Sequence, residues 1–469
     1  MKLNQLTLKE VKNVLKQKKI SSQELTKACL ARIKNLEPKL NAFITLCEED
    51  ALRQAKRADE LIAQGDVEPL LGIPISIKDN FCTKGLKTTA ASKLLDDFIP
   101  VYDATVVSRL KESGAVIVGK VNMDAWAHGS STETSDYGST KNPWNIKTLP
   151  GGSSGGSAAS VSSDEVIASI GSETAGSIRQ PAAWCGVVGL KPTYGRVSRS
   201  GVIAMGSSLD SPGPITKTVE DSAVILQVLA GHDRFDATTS KRKPDNYLKS
   251  LTSSIEGIKV GVSDDYFNEA QSEVRNKTRE ALKTLEKLGA KVKKIKLFDP
   301  KYAIAVYTII QRAEVSSNLA RYDGIRYGNG RGSFGEEAKR RIMLGTYVLS
   351  AGYYDQYYHK AQKVRTLIVE DFKKAFKEVD IIVGPTSPST ALPVGSSKNH
   401  PMFGEMADIL VEPSSIAGLP GISIPCGFSK DNLPVGMQII GPQFSESLIL
   451  NVANQFERET SWNSQKPNL

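Results

Sequence analysis

The most informative part of the sequence is rich in glycine and serine: LPGGSSGGSAA at residues 149–159, followed by GSETAGSIRQPAAWCGVVGLKPTYGRVSRSGV at residues 171–202. Glycine permits positive φ and lets main-chain N–H groups come close to a ligand. Two short turns, Gly151–Ser157 and Gly171–Ser177, are joined by a segment that includes a predicted strand at 166–170. Turns connected in this way can face each other, and successive N–H groups of the second turn can then bind an anion.

The first turn, residues 151–157, admits four interpretations. One is a flexible linker. Another is a phosphate-binding loop, although the Lys-Ser/Thr pair that completes a Walker sequence is missing. The pattern G-x-S-x-G of a nucleophile elbow matches twice, centred on Ser153 or Ser154, but the preceding residues 143–150 are unsuited to a strand and no later histidine has a recognisable setting. The fourth interpretation, which we favour, is a rigid site whose main-chain N–H groups stabilise an oxyanion.

Helical and strand patterns alternate outward from these turns. Residues 1–65 are predicted to form helices, and Ser21 with Glu24 has the spacing of a capping box. A short strand is predicted at 72–78, and a helix followed by an apolar strand comes next, the strand at 115–119. This rhythm is typical of an α/β protein.

The chain of 469 residues is long enough for two domains or for one large domain. No internal repeat and no clean linker divides it. We therefore predict one domain over residues 1–469, with its core at about 70–220 and the helices of residues 1–65 packed on that core.

The composition favours a cytoplasmic globular enzyme. The net charge of +9, from 60 basic and 51 acidic residues, eases contact with a polyanion such as RNA, but the basic residues form no dense tract and a lysine-rich surface is the simpler explanation. The five cysteines are scattered without CxxC spacing, which argues against a disulfide scaffold and a zinc site. The N-terminal residues lack the apolar core of a signal peptide, and no apolar run reaches the length of about 18 residues that suggests a membrane-spanning helix.

Together with GIPISIKDN at residues 72–80, these two turns resemble the amidase signature family. The resemblance implies an α/β fold with a large mixed central β-sheet flanked by helices on both faces. It also implies that Ser177 is the acyl-forming nucleophile, that Ser153 is a bridging serine on a cis peptide, and that Lys78 is the base.

The residue types suit those roles. A serine hydroxyl is a weak nucleophile and needs a base. Lysine has a free pKa of about 10.4, but burial beside the neighbouring isoleucines would lower the pKa of Lys78 and make the neutral amine available. Ser153 would then relay the proton from Ser177 to Lys78 and return it to the leaving ammonia. From the residues alone, Lys78 can equally be a surface lysine, and Ser177 can be the N-cap of a helix that starts at Ile178.

The second turn departs from the family pattern. The N–H groups of Thr174, Ala175 and Gly176 form the predicted oxyanion hole. Glu173 and Ala175 stand where the family usually has aspartate and glycine, so a Cβ enters a turn that a glycine conformation would suit. These two substitutions could change the geometry of the oxyanion hole, but they do not change the prediction that Ser177 is the nucleophile.

The C-terminal half narrows the resemblance. The stretches AEVSSNLARYDGIRYG at 313–328, FGEEAKRRIMLGTYVLSAGYYDQYYHKAQKVRTLI at 334–368 and DILVEPSSIAGLPGISIPCG at 408–427 are similar to the A subunits of glutamyl-tRNA(Gln)/aspartyl-tRNA(Asn) amidotransferases. With them the resemblance covers nearly the whole chain. It implies that glutamine is hydrolysed and that its ammonia passes to a partner subunit.

The same resemblance implies a pocket for free glutamine. It assigns Arg341 to the α-carboxylate, Asp408 to the α-ammonium group and Tyr307 to the side-chain amide, with Ser130 and Ser131 lining the pocket. A guanidinium group suits the carboxylate because it can donate two parallel hydrogen bonds. The simpler alternatives are a solvated basic turn of a helix, an acidic residue at a helix start and a core tyrosine.

The implied function is the glutaminase subunit of a tRNA-dependent amidotransferase, which acts by a Ser-Ser-Lys mechanism and serves Glu-tRNA(Gln) or Asp-tRNA(Asn). The implied partners are subunits B and C in a heterotrimer and charged tRNA; ATP and Mg²⁺ would be used by the partner subunit, with no cofactor or metal in this chain. A stand-alone amidase for a small or aryl amide is the alternative, and it would need neither Arg341 nor Asp408. An inactive RNA-binding scaffold is a third hypothesis, against which the intact Lys78, Ser153 and Ser177 count.

Overall fold

The computed structural model describes residues 2–325, 328–398 and 400–469. Residues 326 and 327, near the end of the stretch 313–328 quoted above, lie outside the described residues. In the described parts, eleven strands form one sheet. The strands are β1 (Phe43–Leu46), β2 (Pro74–Lys78), β3 (Val116–Val121), β4 (Ala168–Glu173), β5 (Val188–Lys191), β6 (Ser211–Thr216), β7 (Lys259–Val262), β8 (Lys291–Lys294), β9 (Ile381–Pro385), β10 (Gly421–Phe428) and β11 (Pro434–Ile440).

The helices connect and cover these strands. They are α1 (Leu8–Lys16), α2 (Ser22–Leu40), α3 (Glu48–Gln64), α4 (Thr105–Glu112), α5 (Gly155–Ser162), α6 (Arg179–Cys185), α7 (Val219–Leu229), α8 (Tyr247–Ser250), α9 (Asp264–Asn268), α10 (Ser272–Lys287), α11 (Lys301–Leu319), α12 (Glu336–Leu349), α13 (Lys360–Ala375), α14 (Phe403–Asp408), α15 (Glu412–Ile416) and α16 (Glu446–Thr460). Tyr354–His359 is a π-helical segment that leads directly into α13.

The strand order across the sheet is β1-β3-β2-β4-β6-β5-β10-β11-β9-β7-β8. The pairs β2–β3, β2–β4, β7–β8 and β7–β9 are parallel, and the remaining neighbours are antiparallel. The prediction of an α/β fold with a large mixed sheet is confirmed. One continuous sheet supports the expectation of a single domain, which stays a prediction.

The N-terminal region is not entirely helical, which corrects one expectation. The capping box of Ser21 and Glu24 is present at the start of α2, as predicted. Between α2 and α3, however, residues Phe43–Leu46 form β1, which pairs antiparallel with β3. The sequence Phe-Ile-Thr-Leu is rich in aromatic and β-branched residues, and these fit a pleated surface better than a helix.

The first glycine/serine turn is shorter than predicted. Helix α5 already begins at Gly155, inside the stretch that the sequence suggested to be a loop. Glycine is unfavourable in a helix, but here the backbone passes so close to its neighbours that a side chain would not fit. A Cβ on Gly155 would collide with Thr132, and one on Gly156 would collide with the backbone of Asn122. Close packing therefore outweighs helix propensity at this position.

Apolar side chains fill the space between the sheet and its helices. In β2, for example, Ile75 and Ile77 have no exposed surface. All five cysteines are free. Of the helices in the described residues, none is long and apolar enough to cross a membrane. Within the same residue ranges there is no group of three or more histidine, cysteine or acidic side chains that could hold a metal ion.

Candidate active site

Parallel strand pairing brings the predicted site residues together. Strands β2 and β4 pair in parallel, with Ile75 opposite Ala168, so their carboxyl ends lie at the same edge of the sheet. Lys78 is the last residue of β2, and the turn that carries Ser177 leaves the end of β4. Helix α5, which starts two residues after Ser153, packs against both strands. The two turns and the lysine thus meet at one point.

Lys78 is buried, not a surface lysine. Its side chain has no exposed area, and its Nζ donates hydrogen bonds to Ser153 Oγ at 2.7 Å and to the carbonyl of Ser172 at 3.0 Å. Burial lowers the pKa of Lys78 to about 7, against the opposing influence of three nearby carboxylates. Near neutral pH a substantial fraction of this amine is therefore unprotonated and can accept a proton.

The two predicted serines sit on adjoining turns. The N–H of Ser154 donates to the carbonyl of Ser177 at 3.1 Å, which fixes the turns side by side, and the peptide bond between Gly152 and Ser153 is cis. The N-cap alternative for Ser177 is wrong, because α6 begins at Arg179 and its N-cap residue is Ile178. The Ser177 hydroxyl makes no hydrogen bond to any part of the chain that the structure describes, so it remains available for chemistry.

The predicted oxyanion hole has unengaged donors. The N–H groups of Thr174, Ala175 and Gly176 donate to no acceptor among residues 2–325, 328–398 and 400–469. The carbonyl of Ala175 is engaged, since it accepts a hydrogen bond from Ser415 Oγ at 2.6 Å. A turn with unengaged N–H groups beside a serine hydroxyl has the composition that stabilisation of a tetrahedral oxyanion requires.

Glu173 anchors this turn at its base. Its buried carboxylate accepts hydrogen bonds from the N–H groups of Ile178 and Arg179, both at 3.0 Å. The Arg179 guanidinium completes the pair, with Nη2 at 2.6 Å and Nε at 2.9 Å from the same carboxyl group. Glu173, which departs from the family pattern, therefore links the end of β4 to the start of α6, and the turn that carries Ser177 lies between them.

Ala175 needs no glycine-like conformation. Among the described non-glycine residues with positive φ, Ala175 does not appear, so its Cβ causes no backbone strain. Replacing Ala175 with glycine is accordingly expected to leave kcat for amide hydrolysis unchanged and to lower the free energy of unfolding by about 0.5–1 kcal/mol, because the unfolded chain gains freedom. Steady-state ammonia release and urea unfolding measure the two effects. A several-fold rise in kcat would show instead that the alanine hinders the oxyanion hole.

Asp408 contacts the turn that carries Ser177, and Ser130 is hydrogen-bonded to Asp408. Ser130 Oγ donates to Asp408 Oδ2 at 2.7 Å, and a Cβ on Gly176 would collide with Asp408 Oδ1. Ser131 is held differently, since its N–H donates to Asp124 Oδ2 at 3.1 Å. The predicted ammonium partner, Asp408, is thus in contact with Gly176, the residue that precedes Ser177.

Arg341 and Tyr307 lie on two helices, α12 and α11, that pack against each other, and α11 also packs against α14, the helix that ends at Asp408. Arg341, on α12, is 4% exposed, which excludes the alternative of a solvated basic turn; its Nε donates to Glu337 at 2.6 Å. Its Nη1 has no hydrogen-bond partner among the described residues. Tyr307 is buried on α11, and burial raises its pKa while the charges of Arg341 and Asp408 act on it. Tyr307, Arg341 and Asp408 are therefore close enough for their charges to interact.

Sequence reasoning missed two carboxylates of this site. Asp124 is fully buried, its N–H donates to the carbonyl of Ser153 at 3.2 Å, and a Cβ on Gly152 would collide with its Oδ2. Asp210 accepts from Thr174 Oγ1 at 2.7 Å, and burial raises its pKa to about 6. Each is an isolated acidic residue in the sequence, so no spacing pattern pointed to it.

Comparison with known proteins shows which family this chain resembles. The family model described as Amidase matches residues 24–450. The chain is 51% identical to the A subunit of glutamyl-tRNA(Gln) amidotransferase from Thermoanaerobacter pseudethanolicus, over 99% of this chain and 98% of that protein, and 51% identical to the protein of the same name from Geobacillus thermodenitrificans, over the full length of both. A crystal structure of the A subunit of glutamyl-tRNA(Gln) amidotransferase from Thermotoga maritima superimposes with a TM-score of 0.84 at 43% identity, covering 99% of this chain and 97% of that one.

Proposed function

This chain belongs to the amidase signature family, and on that premise we propose that it is the glutamine-hydrolysing subunit of a tRNA-dependent amidotransferase. The observation that carries the proposal is the full-length similarity to relatives named as the A subunit of glutamyl-tRNA(Gln) amidotransferase. The ammonia released from glutamine would serve the conversion of Glu-tRNA(Gln), or of Asp-tRNA(Asn), to the amide. The buried lysine and the two serines support amide hydrolysis as the reaction.

In the first half-reaction, Ser177 Oγ attacks the side-chain carbonyl carbon of glutamine. Ser153 takes the proton of Ser177 while it gives its own proton to Lys78 Nζ, with which it is already hydrogen-bonded at 2.7 Å. The oxyanion formed at the carbonyl accepts hydrogen bonds from the free N–H groups of Ala175 and Gly176. The proton then returns through Ser153 to the leaving nitrogen, and ammonia departs.

In the second half-reaction, water attacks the acyl group on Ser177 by the same proton route, and glutamate leaves. The charged end of glutamine is held by two groups of opposite sign. The free Nη1 of Arg341 is available to the α-carboxylate, and the free Oδ1 of Asp408 is available to the α-ammonium group. Tyr307, Ser130 and, with weaker support, Ser131 complete the proposed pocket.

The proposed assembly is a heterotrimer with subunits B and C in the cytoplasm. Charged tRNA binds through the complex, and ATP with Mg²⁺ is used by the partner subunit. An exposed aromatic surface on α12 and the segment that follows it supports a partner. The rings of Tyr347 and Tyr353 lie 4.3 Å apart between centroids, and those of Tyr353 and Tyr357 lie 5.9 Å apart. Exposed clusters of this kind are enriched at protein interfaces.

Amidotransfer by a reconstituted complex tests the function. With subunits B and C, charged tRNA, ATP and Mg²⁺, we expect glutamine hydrolysis to be faster than with this chain alone, and the amide to form on the tRNA. A chain that hydrolyses aryl or small amides freely, ignores glutamine and co-purifies with no tRNA-binding subunit would instead be the stand-alone amidase.

Removal of Arg341 tests the glutamine pocket. In Arg341→Ala, kcat/KM for glutamine is expected to fall about 100-fold, mostly through KM, because a charge-assisted hydrogen-bond pair with the α-carboxylate is lost. The matched substrate is 4-aminobutanamide, which keeps the amide and the ammonium group but lacks the carboxylate. Its kcat/KM should stay within a few-fold of the unmodified protein. Equal losses on both substrates would contradict a carboxylate-binding role.

A further inference from the structure

Glu412 is a buried carboxyl group that the proposed mechanism does not use. It is the first residue of α15 and has no exposed area. Neither of its carboxyl oxygens has a hydrogen-bond partner among the described residues. Burying such a group without a partner costs free energy, so a position of this kind calls for a ligand or a role.

The residues just before Glu412 in the chain contact the candidate active site. The preceding residue, Val411, donates its N–H to the carbonyl of Asp408 at 2.8 Å, which folds this segment into a turn. A Cβ on Gly176 would collide with both Asp408 and Val411, so the segment 408–411 packs directly against the turn that carries Ser177. Helix α15 also packs against α11, the helix that carries Tyr307. Glu412 therefore lies on a segment that contacts the turn carrying Ser177 on one side and packs against the helix of Tyr307 on the other.

Other buried polar groups nearby also lack partners. Among residues that the structure describes, Asp408 Oδ1, Arg341 Nη1, both polar atoms of the Gln311 side chain and both ring nitrogens of His128 make no hydrogen bond. Each of these side chains is less than 5% exposed. Buried polar atoms are normally paired, so this concentration of unpaired donors and acceptors marks a site for a polar ligand that carries both charges.

The cations around Glu412 are already engaged. The charged or titratable groups that act on Glu412 and Asp408, besides each other, are Glu405, Glu173, Arg179, Arg312, Arg341 and Tyr307. Arg312 is paired with Glu405 at 2.8 Å, Arg341 with Glu337 at 2.6 Å, and Arg179 with Glu173 at 2.6 Å. Glu412 and Asp408 are thus two neighbouring carboxyl groups for which the described chain supplies no cation of their own.

Two such groups repel each other's ionisation. Burial raises the pKa of Glu412 well above its usual range, and the negative charges of Asp408 and Glu405 raise it further. Burial likewise raises the pKa of Asp408, against its hydrogen bond from Ser130. Neighbouring carboxyl groups of this kind titrate as a pair, and burial without a cation favours the state in which the pair keeps one proton.

We propose that Glu412 is a second carboxylate of the ammonium subsite and that the α-ammonium group of the substrate displaces a proton from the Glu412–Asp408 pair. The inference rests on the proposed function, because glutamine supplies the ammonium group. On binding, the carboxylic O–H bond breaks and the proton passes to solvent. The carboxylate that remains accepts an N–H hydrogen bond from the ammonium group, and no covalent bond of the substrate changes in this step.

Calorimetry of glutamine binding tests the proposal. The protein is Ser177→Ala, which binds without turnover, and the titration is repeated at pH 7 in two buffers of different ionisation enthalpy. We expect about one proton to be released per glutamine bound, because a single shared proton is displaced. With Glu412→Gln added, the proton release should fall by at least half and glutamine affinity should fall about 10-fold, because a charge-assisted hydrogen bond is lost. Glu412→Asp, which keeps a carboxyl group, should retain the proton release.

The matched control is Glu165→Gln. Glu165 is also fully buried, burial also raises its pKa, and one of its carboxyl oxygens has no partner among the described residues. It differs from Glu412 because its other carboxyl oxygen accepts a hydrogen bond from Ser163, which is not a residue of the proposed pocket. It should change neither proton release nor affinity. The proposal is overturned if Glu412→Gln behaves like this control, or if the Ser177→Ala protein releases no proton on binding glutamine.

A second ligand separates this proposal from the proposed function. If glutamine itself fails to bind, the function is wrong, but 4-aminobutanamide still carries the ammonium group. Proton release on its binding, removed by Glu412→Gln, would still support the ammonium subsite. Binding of 4-aminobutanamide without proton release, or with release that Glu412→Gln leaves intact, would overturn it.

Discussion

Replacement of Ser177 by alanine is expected to lower kcat for ammonia release from glutamine by about 10⁴-fold or more, because no acyl-enzyme can form. The Ser177 side chain is buried and has no hydrogen-bond partner among the described residues, and its turn is hydrogen-bonded to the turn that carries Ser153. Removing its oxygen deletes the attacking atom and leaves the surrounding packing nearly unchanged. Ammonia release measured with and without partner subunits gives the size of the loss.

Two neighbouring serines provide the contrast. Ser153 accepts the hydrogen bond of Lys78, whereas Ser154 Oγ donates to the carbonyl of Ser172 at 3.2 Å. Ser153→Ala should therefore lower kcat by about 10³-fold, in the range of a lost general acid–base group, whereas Ser154→Ala should stay within about 10-fold. Full ammonia release by Ser177→Ala would refute the mechanism. Equal losses at Ser153 and Ser154 would refute the relay alone.

The proposed reacting groups could be picked out in the sequence, whereas the buried carboxylates around them could not. Lys78 and Ser177 stand in motifs whose residue types suit their chemistry, and parallel pairing of β2 with β4 brings them together. Asp124 and Glu412 stand in no such pattern. Glu412 interacts with Arg341 and with residues of α11, which are distant from it in the chain, so only the folded structure shows that its carboxyl group lacks a partner.

One strand of the sheet, β6, could not be predicted because its residues have low strand propensity. Strand β6 lies between β4 and β5, yet its sequence Ser-Pro-Gly-Pro-Ile-Thr contains two prolines and a glycine. Proline removes a backbone donor and glycine adds no packing surface, so both lower strand propensity. Gly213 is required there, because a Cβ would collide with the carbonyl of Leu190 in β5. Tertiary packing thus stabilises a strand that the sequence alone does not suggest.

We expect Lys78 to set the pH dependence of hydrolysis. Since burial lowers its pKa to about 7, kcat/KM should rise with unit slope below that pH and level off above it. Lys78→Met removes the base and is expected to lower kcat by about 10³-fold at every pH. A pH profile of ammonia release between pH 5 and about 9 measures both effects. A flat profile would show that the amine is not the titrating base.

The same substitution is expected to stabilise the fold. Between about pH 7 and 10.5 the unfolded state holds a proton on Lys78 that the folded state lacks, so the free energy of unfolding rises with pH across this window. Keeping the amine unprotonated costs about 4 kcal/mol at pH 7, and two lost hydrogen bonds offset about half of that gain in Lys78→Met. Urea unfolding at pH 7 should therefore show a gain of about 2 kcal/mol that disappears near pH 9 and becomes a loss of about 2 kcal/mol by about pH 10.5.

Lys191 provides the matched control for this prediction. It is also buried, burial lowers its pKa to about 7, and among the described residues its Nζ donates only to the carbonyl of Pro192, at 3.1 Å. Lys191→Met should raise the free energy of unfolding at pH 7 and keep full ammonia release. Lys78→Met should also raise the free energy of unfolding, but it should lower kcat for ammonia release by about 10³-fold. If both variants are destabilised, the two amines are charged in the folded protein. Lys78 would then need another group to remove its proton before it could act as a base.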